Sequence, residues 1–516
     1  MDTILILDFG SQTTQLIARR IRELAVYSRI VPGDVPLGEI DLNEVQGIIL
    51  SGSPYSVHDT DAPTPDPSVY ETGLPILGIC YGLQRLVHDQ GGVVERQRRR
   101  EYGGARMLRE NDHPLLEGLP EASVVWMSHG DSIERPPAGT EVIARSVHGL
   151  PACISFPKLN AAGIQFHPEV THTEHGKRIL ENFVLGMVGA RRQWTMEAYA
   201  EQMSAELASR VGSKPVLLLI SGGVDSTVTA AMLLHALPPE QVHLMYIDTG
   251  LMRHRETEEV RLGLEALGAE HLYVINAEET FLSALEGITD PEEKRRVIGD
   301  TFVRVQEREI GRYVPGDYLL AQGTLYTDYI ESGRGVGNHA RVIKSHHNVR
   351  SPLIEAKRAA GLVIEPLIHL YKDEVRALGR RLGVREEILR RHPFPGPGLA
   401  VRILGEVTGE RCRLLREVDH TYLGELERRE LYDEIWQAFA VLLPLRSVGV
   451  AGDERGYGAV VALRAVGSTD GMTAEVYRFP PDDLLEISSI ITNRHPEIGR
   501  VVYDVSSKPP ATIEWE

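Results

Sequence analysis

Short apolar runs alternate with amphipathic stretches from the first residues onward. ILIL at 4–7 is followed by a helical pattern through Leu16, Ile17, Ile21 and Leu24, then by GIIL at 47–50 and PILGI at 75–79. Buried strands separated by amphipathic helices predict βα units around a largely parallel sheet. The stretch from Gly52 to Tyr70 is dense in Pro, Asp and Thr and reads as an irregular loop over a strand end. AAGIQF at 161–166 predicts a further strand, and a helix is expected around Lys177 to Val188. The Arg run at 98–100, beside Glu101, reads as a solvated turn.

The same grammar restarts at VLLLI, 216–220, with a helix from Val228 to His235 and strands at HLMYID (243–248), HLYVIN (271–276) and YLLAQG (318–323). HPFPGPG at 392–398 carries three prolines and two glycines, which excludes the interior of a regular element. Beyond it, a helix is expected from Val418 to Val441, then strands at VVALRAV (460–466) and VVYDV (501–505). The expected fold class is α/β: two successive α/β domains with largely parallel sheets, followed by a smaller α+β domain. The boundaries fall at 1–190, 191–391 and 392–516. No internal repeat or low-complexity run interrupts this order.

Composition narrows the class of protein. The chain has 516 residues, 42% hydrophobic and 25% charged, and a formal charge of −18, opposite to that of a general polyanion binder. Nucleic acid is therefore not an expected partner. Three widely spaced cysteines, Cys80, Cys153 and Cys412, fit neither a disulfide framework nor a zinc knuckle, and point to a reducing compartment. MDTILILDFG has neither the basic region nor the apolar length of a signal peptide. No run reaches the ~18 apolar residues of a membrane span. A cytoplasmic protein without a membrane partner is expected.

Gly-Ile-Cys-Tyr-Gly at 78–82 stands between an apolar strand and a helical stretch, the pattern of a nucleophile elbow with Cys80 at its tip. The helix start favours a thiolate. This glycine frame alone leaves a buried structural cysteine equally open. Phe-His-Pro-Glu-Val at 166–170 adds a base, His167, and a carboxylate, Glu169, at the end of another strand. Together these resemble the triad-type glutamine amidotransferase domain over residues 1–188. The resemblance implies that Cys80 attacks the glutamine amide, forms a glutamyl thioester and releases ammonia. His167 is then base and acid, Glu169 orients it, and the N–H groups of Tyr81 and Gly52 form the oxyanion hole. Gln84 either helps to seat the substrate or is solvated.

SGGVDST at 221–227 follows a buried strand and opens a helix, which brings backbone donors and the helix dipole onto an anion. It lacks the GxxxxGK[ST] spacing of a Walker loop. It resembles the PP-loop of ATP pyrophosphatases, which cleave ATP between the α- and β-phosphates. The implied ATP-binding residues are Ser221, Gly222, Gly223, Val224, Asp225, Ser226 and Thr227, with Asp225 as a Mg²⁺ ligand. Asp248, at a strand end, is either a nucleotide contact or a turn aspartate. AQGTLYTDYIES at 321–332 matches a family segment near the adenylation centre, with Thr327 where a proline is expected and Asp328 beside it.

The strings IKSHHNV (343–349), HPFPGPGLAVR (392–402), RSVGVAGDERGYGAVVALRAVGSTDGMTA (446–474) and SSKPPATIEWE (506–516) resemble the glutamine-hydrolysing GMP synthetase family. The resemblance implies that XMP is adenylated on its C2 oxygen, that ammonia displaces AMP, and that the last domain is a homodimerisation and substrate module. Lys344 then belongs to a lid over the ATP phosphates, and Arg402, Arg455, Lys508 and Glu514 meet XMP. After Val349 the chain reads RSPLIEAKRAAGLV where the family has a Gly-Gly turn. Two other readings stay open: a PP-loop tRNA-modifying enzyme, which the charge and the lack of a cysteine pair disfavour, and a regulatory pseudo-amidotransferase, which the intact triplet disfavours.

Overall fold

A computed structural model describes residues 1–314, 316–331, 352–451, 454–468 and 473–516. They form two compact units, Met1–Tyr199 with 327–331, and Ala200–Tyr326 with the described residues from 352 onward.

The first unit is built on a nine-stranded sheet in the order β2-β1-β3-β4-β9-β8-β7-β5-β6. Its parallel half contains β1 (Thr3–Asp8), β2 (Tyr27–Pro32), β3 (Val45–Leu50), β4 (Ile76–Ile79) and β9 (Ala161–Ile164). All but the edge strand β2, which alternates buried and half-buried residues, are the short apolar runs of the sequence, and they are largely buried because helices cover a parallel sheet. The rest is antiparallel: β5 (Val93–Arg109), β6 (Ala122–Arg135), β7 (Glu141–Ser146) and β8 (Pro151–Phe156). The expected turn at 98–100 is instead strand backbone, with a register shift between Arg96 and Glu101. A charged strand on such an arm lacks the apolar run that marked the others.

The second unit holds a five-stranded parallel sheet, β12-β11-β10-β13-β14, from β10 (Val216–Ile220), β11 (Val242–Asp248), β12 (His271–Asn276), β13 (Leu319–Ala321) and β14 (Val363–Ile364). A second sheet joins β15 (Gln437–Ala451), β16 (Glu454–Gly467) and β17 (Glu475–Val476), with β18 (Ile498–Tyr503) parallel to β16. One hydrophobic cluster runs through both, from Leu217 and Met245 to Val418 and Leu463.

The helix expected at 418–441 spans Gly409–Arg428 instead and is capped by Thr408, whose hydroxyl accepts from the Arg411 N–H. Glu430 adopts a left-handed φ of 59°, and the chain re-enters as β15. AFAVL at 438–442 supplies a continuous apolar run that is buried in the sheet, not a helical stripe.

Candidate active site

The elbow in the first unit is sharp for a steric reason. Cys80 sits between β4 and the helix Tyr81–Asp89 with φ 53° and ψ −104°, a conformation that is costly for a residue with a Cβ. Its N–H donates to the Ile164 carbonyl of β9 at 2.8 Å. A Cβ on Gly78 would lie 2.7 Å from the Gly82 backbone, and one on Gly82 would overlap the Leu50 carbonyl. Both glycines are therefore needed for strand and helix to approach this closely. The Tyr81 ring fixes the helix, meeting Phe9 edge-on at 5.5 Å and donating from its hydroxyl to the Pro63 carbonyl at 2.7 Å. As the first helical residue, Tyr81 presents its own N–H without an intrahelical acceptor.

His167 and Glu169 lie beside this elbow. His167 Nδ1 is 2.7 Å from Glu169 Oε1, and Glu169 is fully buried. Burial opposes charge on His167, but hydrogen bonds to Cys80 and Glu169, and their charges, raise it to about 10. The imidazolium is thus the form the site favours, as a cysteine nucleophile requires. The loop after β3 closes against it: a Cβ on Gly52 would lie 3.3 Å from His167 Cε1. Burial pushes the Cys153 thiol far up and the Cys412 thiol to about 11.

Sequence reasoning missed part of this wall. The Gln165 amide lies 3.7 Å from Cys80 Sγ, and Sγ is 3.7 Å from the Ser128 carbonyl. Gln84 is buried, not solvated, and donates to the Asp131 carbonyl at 3.2 Å. A polar residue inside the apolar run AAGIQF was the available signal for Gln165; Ser128 acts through its backbone, which no side-chain pattern reports.

In the second unit, Ser221–Gly223 link β10 to the helix Val224–Ala236. Gly222 has φ 81°, and a Cβ there would meet Glu256 at 2.9 Å. Ser221 and Ser226 hydroxyls lie 3.1 Å apart, and the Thr227 hydroxyl donates to the Gly223 carbonyl at 2.9 Å. Both Asp225 carboxylate oxygens take Lys372 Nζ, at 2.9 and 2.7 Å. Lys372 opens the helix Lys372–Arg381, about 150 residues downstream, so sequence distance concealed it. Asp248 accepts from the Gly250 N–H at 2.9 Å and the Thr257 hydroxyl at 2.6 Å, the bonds of a turn aspartate at a strand end. Lys344 lies outside the described residues.

Arg402 and Glu514, 112 residues apart, form a two-pronged pair at 3.1 and 2.8 Å. Arg402 is only 2% exposed, with its guanidinium 4.0 Å from the Phe439 ring centroid. Gln437 donates to the same carboxylate at 2.7 Å. Lys508 pairs through its backbone with Ala474, at 2.8 and 3.0 Å. Arg455 lies on β16, and its side chain falls outside the described set. Among the described residues, no group of three or more His, Cys, Asp or Glu side chains is arranged to hold a metal. No helix among them is long and apolar enough to cross a membrane.

Comparison with known proteins gives three family matches: Glutamine amidotransferase class-I over residues 5–187, Asparagine synthase over 199–301, and GMP synthase C terminal domain over 424–515. The second covers SGGVDST. Among curated proteins, the GMP synthase [glutamine-hydrolyzing] of Aquifex aeolicus is 50% identical over 513 residues, covering 99% of both chains. That of Symbiobacterium thermophilum is 50% identical over 516 residues, covering 100% of this chain and 99% of its own. A Thermus thermophilus protein of the same description is 51% identical over 514 residues, covering 99% and 100%.

Proposed function

The chain belongs to the family of glutamine-hydrolysing GMP synthases, and from that premise we propose that it makes GMP from XMP, ATP and glutamine. One observation carries the reading: a buried His–Glu pair beside an elbow cysteine and a PP-loop occur in one chain that matches such enzymes end to end.

Cys80 Sγ attacks the glutamine amide carbon, and the Tyr81 and Gly52 N–H groups receive the developing oxyanion. His167, oriented by Glu169, passes a proton to the leaving nitrogen, so ammonia departs and a thioester remains for water to hydrolyse. At the PP-loop the helix N-terminus and the residues from Ser221 to Thr227 hold the ATP phosphates. The XMP C2 oxygen attacks the α-phosphorus and releases pyrophosphate; ammonia then adds at C2 and AMP leaves. A single loop carboxylate fits Mg²⁺, which binds through one or two carboxylates plus substrate phosphates, so Asp225 would hold it once exchanged from Lys372. The ion supplies charge neutralisation on the phosphates. Asp248, at the end of β11 with its carboxylate held by the Gly250 N–H and the Thr257 hydroxyl, is the proposed nucleotide contact, and Lys344 the proposed lid residue.

XMP is assigned to Lys508, Glu514, Arg455 and Arg402, with buried Arg402 serving to fix the Glu514 carboxylate. Domain limits at 1–190, 191–391 and 392–516 are part of the proposal, the last two lying within one compact unit that shares a hydrophobic cluster. The last of these is assigned as the homodimerisation module, supported by exposed Leu445, Tyr457, Leu485 and Val505. Free, buried cysteines support a reducing, cytoplasmic setting. The reading is tested by supplying ATP, Mg²⁺, XMP and glutamine and separating the nucleotides. AMP and pyrophosphate are expected in equal amounts with GMP; ADP with orthophosphate would reject adenylation.

A further inference from the structure

Lys294 is fully buried, an unusual place for an ammonium group. It lies in the first turn of the helix Pro291–Tyr313, capped by Asp290, whose carboxylate accepts from the Glu293 N–H at 2.9 Å. The three N–H donors of its Nζ meet three acceptors: the carbonyls of Ala400 at 3.2 Å and Ile403 at 2.7 Å, and Glu516 Oε2 at 2.6 Å. A buried cation is tolerated when it is paired and fully hydrogen-bonded, and Lys294 is both.

The choice of acceptors is informative. Ala400 and Ile403 bracket Arg402, and Glu516 stands two residues beyond Glu514. One ammonium group thus ties down both sides of the Arg402–Glu514 pair, which it does not itself touch. Arg295, next on the same helix, donates to the main-chain oxygen of Glu516 at 2.6 Å. Farther back along the same segment, Arg464, also fully buried, donates to the Thr512 carbonyl at 3.2 Å and the Ile513 carbonyl at 3.4 Å. Buried cations therefore anchor the segment on either side of Glu514.

We propose that Lys294 is a positioning residue for the acceptor nucleotide: by holding the turn at 400–403 and Glu516 together, it sets the Lys508–Glu514 segment where XMP is read. This rests on the assignment of XMP to that segment. The ATP-binding loop is carried by other elements, so the effect falls on one substrate and not the other.

The test uses the full chain with ammonium as nitrogen donor, measuring KM for XMP and for ATP in Lys294→Met, Glu516→Gln, the double variant and Lys508→Ala. Lys294→Met is expected to raise the KM for XMP tenfold or more while the KM for ATP stays within twofold. Glu516→Gln moves it the same way by less, and the double variant is no worse than Lys294→Met alone, because both remove one interaction. Should Lys294→Met fail to fold, Glu516→Gln, which leaves a polar group of the same size, decides the matter. Folded variants whose KM for XMP is unchanged, or whose two KM values rise together, overturn the proposal. Lys508→Ala separates the two layers: if it raises the KM for XMP and the other variants do not, positioning by Lys294 fails alone; if it also has no effect, the assignment of XMP to the segment fails with it.

Discussion

His167 Nδ1 and Glu169 Oε1 stand 2.7 Å apart across the proline that separates them in sequence, with the carboxylate sealed from water. A carboxylate so placed fixes which imidazole nitrogen faces Cys80 and favours the protonated ring. His167 is raised from 6.5 to about 10, so its proton is held through neutral pH and lost only as the pH passes through that range. Glu169→Gln keeps the shape and removes the charge. The alkaline limit of glutamine hydrolysis is expected to move down by about 1 to 3 pH units. A pH–rate profile superimposable on the wild type would assign Glu169 to packing alone.

The elbow glycines make a second expectation. Gly82→Ala places a methyl group onto the Leu50 carbonyl, and backbone cannot yield as a side chain can. Overpacking of this kind costs about 1–3 kcal/mol. Thermal unfolding of the first unit should begin at lower temperature, and glutamine-dependent synthesis should fall at least tenfold while ammonium-dependent synthesis persists. Retention of full glutamine use would show that the β3–helix contact is not needed to aim Cys80.

Much of this was legible because strands and elbows leave local marks. The apolar runs ILIL, GIIL, VLLLI and HLMYID became strands of parallel sheets, and the GICYG and SGGVDST loops fell between strand and helix. What stayed hidden was long-range or faintly patterned. Lys372 meets Asp225 across about 150 residues, and Glu514 reaches Arg402 across 112, which no local pattern encodes. The antiparallel arm escaped notice because its charged β5 has no continuous apolar run. The helix expected to Val441 failed at Glu430, where a left-handed residue follows its end and the chain goes on into β15, whose first residues, Gln437–Leu442, are buried.

His392 supplies a pH expectation of the opposite sign. Its ring is stacked on Tyr432 at 3.9 Å, accepts at Nδ1 from the Ala438 N–H and lies at Nε2 3.0 Å from the Tyr432 carbonyl, so the neutral ring satisfies both. Burial, with nearby Arg253, lowers it from 6.5 to about 4. Above pH 6.5 neither the folded nor the unfolded form is protonated there. Between about 6.5 and 4 the unfolded chain takes a proton that the folded one refuses, and stability is lost by up to about 3 kcal/mol. Denaturant unfolding at pH 7 and pH 4.5 should show this fall in the wild type and a smaller one in His392→Gln. Equal falls in both would exclude His392 as the source.

One chain makes ammonia at Cys80 and consumes it at a separate adenylating site. The most direct measurement compares GMP formation by folded Cys80→Ala with glutamine and with an ammonium salt as donor. The expected result is loss of at least a thousandfold with glutamine, and ammonium-dependent activity within about twofold of the wild type. Loss of both activities in a folded variant, or glutamine use that survives without the thiol, would contradict it.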